Sequence, residues 1–116
     1  MYTLYGIPNC NTVKKAIDWL KKNEIAFIFH DYKKKGISEI KLKEWISEIG
    51  WERLVNKRGS TFKSLDDTLK LTVDNADAAV ALMMAKTSVI KRPIIENGNK
   101  IVAVGFDEKE FENVFY

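Results

Sequence analysis

The sequence predicts an α/β domain built on a mixed four-stranded sheet, and three features of the chain support this. A β-rich stretch, an amphipathic helix and a second β-rich stretch follow one another within residues 1–32, the order of a parallel βαβ unit. Two β-branched runs flank Asn97-Gly98, a strong signal for an antiparallel hairpin. Helical periodicity fills the middle, at about residues 38–86. We therefore expect one domain over residues 1–116, with a helical insertion between the βαβ unit and a C-terminal ββα unit.

The βαβ unit is predicted to begin with a short strand at residues 2–5, which ends where Gly6, Pro8 and Asn9 interrupt the chain. Residues 25–32 are rich in aromatic and β-branched side chains and predict the second strand. Between the two strands, apolar side chains recur with the i, i+3, i+4, i+7 spacing of a helix. These side chains are Val13, Ala16, Ile17 and Leu20.

Three or four helices are expected in the insertion. Ser38 is a preferred N-cap residue and begins the first of them. A short helical turn and a basic loop follow, and the loop ends at Gly59. Residues 64–71 predict another short helix, and Asn75 caps the last helix of the insertion. After the hairpin, Asp107 begins the final helix of the chain.

Composition and charge limit the classes of function. The chain has 116 residues, 30% charged residues and a net charge of +3, which is too weakly basic to indicate nucleic-acid binding by itself. One cysteine and one histidine allow neither an internal disulfide nor a metal site with the usual ligand spacing. No apolar run approaches the roughly 20 residues of a membrane span. We expect a cytoplasmic monomer without a nucleic-acid or membrane partner, a metal or a tightly bound cofactor.

Cys10 is the candidate nucleophile. A lone cysteine is often an inert core residue, but Cys10 directly precedes the first helical turn, which begins with Asn11 and Thr12. Free amide N–H groups and the helix dipole stabilise an anion there, and such a site lowers the pKa of a thiol. Lys14 can add positive charge. Because Val13 stands three residues after Cys10, the second thiol of a Cys-x-x-Cys redox pair is missing.

Six motifs lie within residues 5–106, in a stretch of resemblance that runs from residue 2 to about residue 111. They are YGIPNCNTVKKA, HDYKKKG, GWERLVNKRGSTF, LM at Leu82-Met83, SVIKRPII and VGF. Together they resemble the arsenate-reductase-related family, which includes ArsC and Spx-like proteins, and NKRGSTF and IKRPI resemble its YffB-like, glutathione-associated branch. The resemblance implies a thioredoxin-like fold in which Pro93 follows a cis peptide bond and faces Cys10.

The resemblance further implies a glutathione-dependent thiol/disulfide reductase in which Cys10 is the nucleophile. Glutathione is the expected cosubstrate, because an enzyme with one cysteine must borrow its resolving thiol, and glutaredoxin is a second candidate partner. Arg92, before Pro93, suits a carboxylate or an oxyanion. Arg58 is the other candidate for binding the anionic partner.

Two other functions stay open at this point. One is a glutaredoxin-linked arsenate reductase with the same nucleophile. The enzymes resembled carry a histidine shortly before the cysteine, where this chain has Gly6 and Ile7. They also use three arginines, of which Arg92 is matched directly, while the other two fall near Asn56 and Gly105. The second alternative is a non-catalytic, Spx-like regulator that binds RNA polymerase, although such proteins usually have a second cysteine three residues after the first.

Overall fold

A mixed four-stranded sheet lies in the first of two structural units. The computed structural model describes residues 1–116, which divide into one unit of residues 1–35 with 92–116 and another of residues 36–91. The strands are β1 (Tyr2–Gly6), β2 (Phe27–Asp31), β3 (Ile94–Asn97) and β4 (Lys100–Val104). Their order is β2-β1-β3-β4, with β1 parallel to β2 and antiparallel to β3, and β4 antiparallel to β3. The predicted α/β class and mixed sheet are confirmed.

Two helices, α1 (Asn11–Lys22) and α8 (Glu108–Phe115), contribute to the core of the first unit. Asp107 caps α8 as predicted, and its carboxylate accepts a hydrogen bond from the Glu110 amide at 3.0 Å. On α1, Trp19 is buried and Ile17 is only partly buried, because the Trp19 ring packs edge-on against a ring of α8. The core cluster comprises Leu4, Val13, Ala16, Trp19, Leu20, Ile95, Ala103 and Phe111.

The second strand is shorter than predicted. The sequence predicts a strand over residues 25–32, whereas β2 ends at Asp31 and a short helix, α2 (Tyr32–Lys35), follows at once. The Asp31 carboxylate accepts a hydrogen bond from the Lys33 amide at 2.9 Å. This bond stabilises the first turn of α2 in the way that an N-cap does, and Tyr32 is therefore helical.

The second unit is helical apart from one isolated bridge between Val55 and Ile90. Two further single turns, α5 (Ser60–Lys63) and the 3-10 turn (Thr87–Val89), were not predicted, because a single turn leaves no periodic pattern. Helix α6 (Asp67–Thr72) is capped by Asp66 and so begins three residues later than predicted. None of the helices in the chain is long and apolar enough to cross a bilayer. The elements are α3 (Glu39–Ile49), α4 (Trp51–Leu54), α5 (Ser60–Lys63), α6 (Asp67–Thr72), α7 (Ala76–Ala85) and the 3-10 turn (Thr87–Val89).

Ser38 caps α3 as predicted, since its hydroxyl accepts a hydrogen bond from the Lys41 amide at 3.1 Å. Replacing Ser38 with alanine should lower the free energy of unfolding by about 1 kcal/mol, the usual effect of losing an N-cap. Urea denaturation measures this change. Ser47, exposed in the interior of the same helix, is the control, and Ser47→Ala should cause no loss. Equal losses in the two variants would contradict the capping role.

The predicted hairpin forms, but its loop lies one residue further along the chain. Asn97 pairs with Lys100 in the ladder between β3 and β4, so the two-residue loop is Gly98-Asn99 rather than Asn97-Gly98. Gly98 has a φ of 65°, as the first loop position of a type II′ turn requires. Glycine adopts this conformation without steric cost, which fixes the loop at Gly98.

Candidate active site

The Cys10 side chain lies at the N-terminus of α1, close to the end of β1. Cys10 is the N-cap residue, with extended backbone angles, and its carbonyl accepts the first helical hydrogen bond from the Lys14 amide at 2.9 Å. The side chain is partly buried. The predicted position of Cys10 is therefore confirmed, at a helix end whose first amides are free to interact with an anion.

Gly6 allows α1 to lie directly against the end of β1. A Cβ atom at Gly6 would lie 2.8 Å from Cγ2 of Val13, closer than real Cβ contacts. Val13 is fully buried, and its β-branched side chain has few alternative rotamers in a helix. The contact between Gly6 and Val13 thus holds the first turn of α1, and Cys10 with it, on the sheet.

The segment Arg92-Pro93 lies at the same end of the sheet as Cys10. Because β3 is antiparallel to β1, the residues before β3 lie near the residues that follow β1. The Arg92–Pro93 peptide bond is cis, as predicted. The Gly105 amide donates a hydrogen bond to the Pro93 carbonyl at 2.8 Å. The structure therefore brings Cys10, Arg92 and Pro93 together, and the position matched to a third arginine is a glycine beside Pro93.

The pKa of the Cys10 thiol lies below its ordinary value. Burial is the largest single influence and raises this pKa. The Val13 amide, the hydrogen bond and positive charge of Arg92, and the Thr12 amide all lower it and together outweigh burial. The Cys10 sulfur accepts no N-cap hydrogen bond of standard geometry. The Thr12 and Val13 amides therefore act on it chiefly through their dipoles. Cys10 is consequently more ionised at neutral pH than a free cysteine.

The alkylation rate of Cys10 should report this shift. We expect the rate with iodoacetamide to rise with pH to a midpoint below about 8.5, the pKa of a free cysteine, because only the thiolate reacts. The protein unfolded in urea should show a midpoint near the free value. A folded midpoint at or above the unfolded one would contradict the proposed electrostatics of the site.

The same shift links stability to pH. Since the folded pKa is the lower one, the unfolded state binds more protons in the window between the two pKa values. The contribution of the Cys10 thiolate to stability is therefore fully present above the unfolded pKa. It is lost as the pH falls through the folded pKa.

The other predicted site residues have exposed side chains. Asn11, Thr12 and Lys14 lie on the first turn of α1 beside Cys10, and water screens the charge of the exposed Lys14 ammonium. Arg58 belongs to the second unit, where it lies in the turn between α4 and α5. The ligand contacts of these four residues stay predictions. No three His, Cys, Asp or Glu side chains are grouped as they would be around a metal ion.

Sequence reasoning misses a buried polar group on the sheet face opposite the core cluster. The Tyr5 hydroxyl donates a hydrogen bond to Oε1 of Glu96 at 2.8 Å, and both side chains are buried. His30 is the cross-strand partner of Tyr5, and their ring centroids are 4.7 Å apart. The available signal is Glu96 itself, a carboxylate directly after the apolar residues that begin β3.

The chain is similar to several known proteins over nearly its whole length. A family model described as the ArsC family matches residues 5–114. A solved structure named YffB is 40% identical, with each chain fully covered and a TM-score of 0.91. An arsenate reductase (ArsC) related protein from Brucella melitensis is 41% identical over 98% of this chain and 93% of that one, with a TM-score of 0.77. The global transcriptional regulator Spx of Streptococcus mutans is 32% identical over 113 residues, which are 95% of this chain and 80% of Spx.

Proposed function

The chain belongs to the ArsC family, and from this premise we propose that it is a glutathione-dependent thiol/disulfide reductase with Cys10 as its nucleophile. The observation that carries the proposal is a thiol of lowered pKa beside Arg92, with valine in place of a resolving cysteine at position 13. One activated thiol can open a disulfide, but only an outside thiol can then release it. Glutathione is the abundant cytoplasmic thiol that serves here as cosubstrate.

The proposed reaction has two exchange steps. In the first, the Cys10 thiolate attacks the glutathione sulfur of a mixed disulfide, a new S–S bond forms, the old one breaks, and the substrate thiolate leaves and takes a proton from water. In the second, a glutathione thiolate attacks the glutathione sulfur held on Cys10. Oxidised glutathione leaves, and the Cys10 thiolate is restored. Across both steps, one mixed disulfide and one reduced glutathione give the substrate thiol and one oxidised glutathione.

Arg92 is the main anion-binding group in this proposal. Its planar guanidinium forms strong paired hydrogen bonds with carboxylates, and glutathione carries two carboxylates. Pro93 and the exposed side chains of Asn11, Thr12 and Lys14 border the same helix end, and Arg58 is the second candidate cation. Glutaredoxin is proposed as a partner that removes glutathione from Cys10 when exchange with free glutathione is slow.

Turnover of the mixed disulfide of glutathione and 2-mercaptoethanol tests the proposal. Reduced glutathione is the second substrate, and added glutathione reductase reports product as NADPH oxidation. A rate that saturates with the mixed disulfide and requires reduced glutathione supports the function. No rate above the uncatalysed exchange, with the protein shown to be folded, would reject it.

Two family-based alternatives are tested in parallel. The similarity to an arsenate reductase (ArsC) related protein motivates a reaction of arsenate with glutathione and glutaredoxin. The similarity to the Spx regulator motivates direct binding measurements with purified RNA polymerase. Arsenate turnover without disulfide turnover would favour the first alternative, and polymerase binding without either activity would favour the second.

A further inference from the structure

Tyr32 carries a buried hydroxyl that makes no hydrogen bond. The residue is 1% exposed, and the hydroxyl oxygen has no hydrogen-bond partner. A buried polar group without a partner destabilises the state in which it occurs. Nearly all such groups in native proteins are satisfied, so each exception calls for a physical explanation.

The Tyr32 side chain begins at the end of the sheet that carries Cys10. Tyr32 directly follows β2, and the last residue of β2, Asp31, pairs with Gly6, the last residue of β1. The segments that follow β1 and β2 therefore begin at the same end of the sheet. The Tyr32 ring lies 6.2 Å from the ring of Tyr5 in a stacked arrangement and 6.2 Å from the ring of His30 edge-on. The Tyr32 ring thus packs beside Tyr5 and His30, in a position buried from water.

Two charged neighbours act on the Tyr32 hydroxyl. Burial raises the pKa of Tyr32 most, Tyr5 and Glu96 raise it further, and the positive charge of Arg92 lowers it. The net pKa is well above the ordinary value, so Tyr32 is a neutral hydroxyl at physiological pH. Arg92 thus acts on both the sulfur of Cys10 and the hydroxyl of Tyr32.

We propose that Tyr32 is a positioning residue whose oxygen accepts a hydrogen bond from the Arg92 guanidinium when Cys10 is in a disulfide. In the reduced protein, the Cys10 thiolate is a charged acceptor for Arg92. Once an S–S bond forms, the sulfur loses its negative charge and becomes a weak acceptor. The guanidinium then pairs with the Tyr32 oxygen, which has no competing partner in the reduced protein. In the catalytic cycle this inference rests on the proposed function, because the disulfide is then the one with glutathione.

A small disulfide that contains no glutathione tests the role of Tyr32 independently of glutathione recognition. Methyl methanethiosulfonate converts the Cys10 thiolate to Cys10–S–S–CH3: one S–S bond forms, the S–S bond of the reagent breaks, and methanesulfinate leaves. No further oxidant is needed. The experiment compares thermal unfolding midpoints of the reduced and methylthiolated proteins, each as wild type and as Tyr32→Phe, which removes only the hydroxyl.

We expect Tyr32→Phe to raise the midpoint of the reduced protein and to lower the midpoint of the methylthiolated protein. The opposite signs measure the coupling between the state of Cys10 and the Tyr32 hydroxyl. Tyr5→Phe is the matched control, because it removes a buried hydroxyl that already donates to Glu96. This control should lower the midpoint of both forms by similar amounts.

The equilibrium between reduced Cys10 and its glutathione disulfide gives a second measurement. In buffers of fixed reduced and oxidised glutathione, Tyr32→Phe should lower the equilibrium constant for the mixed disulfide roughly three- to tenfold, the usual effect of one hydrogen bond.

Two results would overturn the inference, and a third bears on the proposed function alone. Midpoint changes of the same sign and size in both forms would show that the hydroxyl does not respond to Cys10, and would overturn it. A lower midpoint of reduced Tyr32→Phe would also overturn it, because the hydroxyl would then already have a partner, such as a buried water. Failure of the wild type to form any glutathione adduct would overturn the proposed function alone, and the methylthiolated series would still decide the role of Tyr32.

Discussion

Cys10→Ser should abolish the glutathione adduct that the wild-type protein forms. Oxidised glutathione should convert the wild type to a species carrying one glutathione, because Cys10 is the only cysteine and its thiolate is stabilised at the start of α1. A serine hydroxyl is not ionised at neutral pH and cannot form an S–S bond. Intact-mass spectrometry separates the two outcomes, and the expected loss in the variant is complete.

The serine variant is also a good structural control, since serine is itself a preferred N-cap residue. Its circular dichroism spectrum and unfolding midpoint should stay close to those of the wild type. Reduced glutathione with glutaredoxin should reverse the wild-type adduct. The enzyme hypothesis fails if Cys10 stays unmodified in the folded protein and reacts only after unfolding, because Cys10 would then be an inert core residue.

Arg92→Ala should weaken glutathione binding by about 1.5–3 kcal/mol, the contribution of a hydrogen bond to a charged group, which corresponds to roughly a ten- to 150-fold change in affinity. It should also raise the pKa of Cys10, because Arg92 supplies both a hydrogen bond and a positive charge to the thiolate. S-methylglutathione cannot undergo disulfide exchange, so its protection of Cys10 from alkylation measures affinity. The pH midpoint of alkylation measures the pKa.

Two variants control this measurement. Arg92→Lys keeps the charge and loses the planar fork, and it should give intermediate values of both quantities. Lys21→Ala removes an exposed charge at the opposite end of α1 and should change neither. Wild-type affinity together with a wild-type pH midpoint in Arg92→Ala would rule out the anion-binding role.

The sequence was sufficient to predict the elements that have a repeating pattern or a strong turn signal. The spacing of Val13, Ala16 and Leu20 predicted α1, and the runs around Asn97-Gly98 predicted the β3–β4 hairpin. Details set by single contacts were not predictable. The hydrogen bond from the Lys33 amide to Asp31 makes Tyr32 helical, although tyrosine favours strands.

The candidate site was likewise predicted only in part. The family resemblance linked Cys10 and Arg92, and the structure places Arg92 close enough to lower the pKa of Cys10. The lowered pKa of Cys10 was predicted from the free amides at the start of α1 and agrees with the structure, whereas the opposing effect of burial leaves no mark in a helical pattern. The pair of Tyr5 and Glu96 joins residues far apart in the chain, so no local pattern could reveal it.

The close approach of Gly6 to Val13 also constrains how this sequence can vary. Because a Cβ atom at position 6 would lie 2.8 Å from Cγ2 of Val13, a larger residue at position 6 is tolerated only with a smaller one at position 13. The two positions are therefore expected to vary together rather than independently. Cysteine is smaller than valine and is readily buried, so the existing backbone can accommodate a second thiol at position 13. The step from a one-thiol to a two-thiol site is therefore a single substitution at position 13.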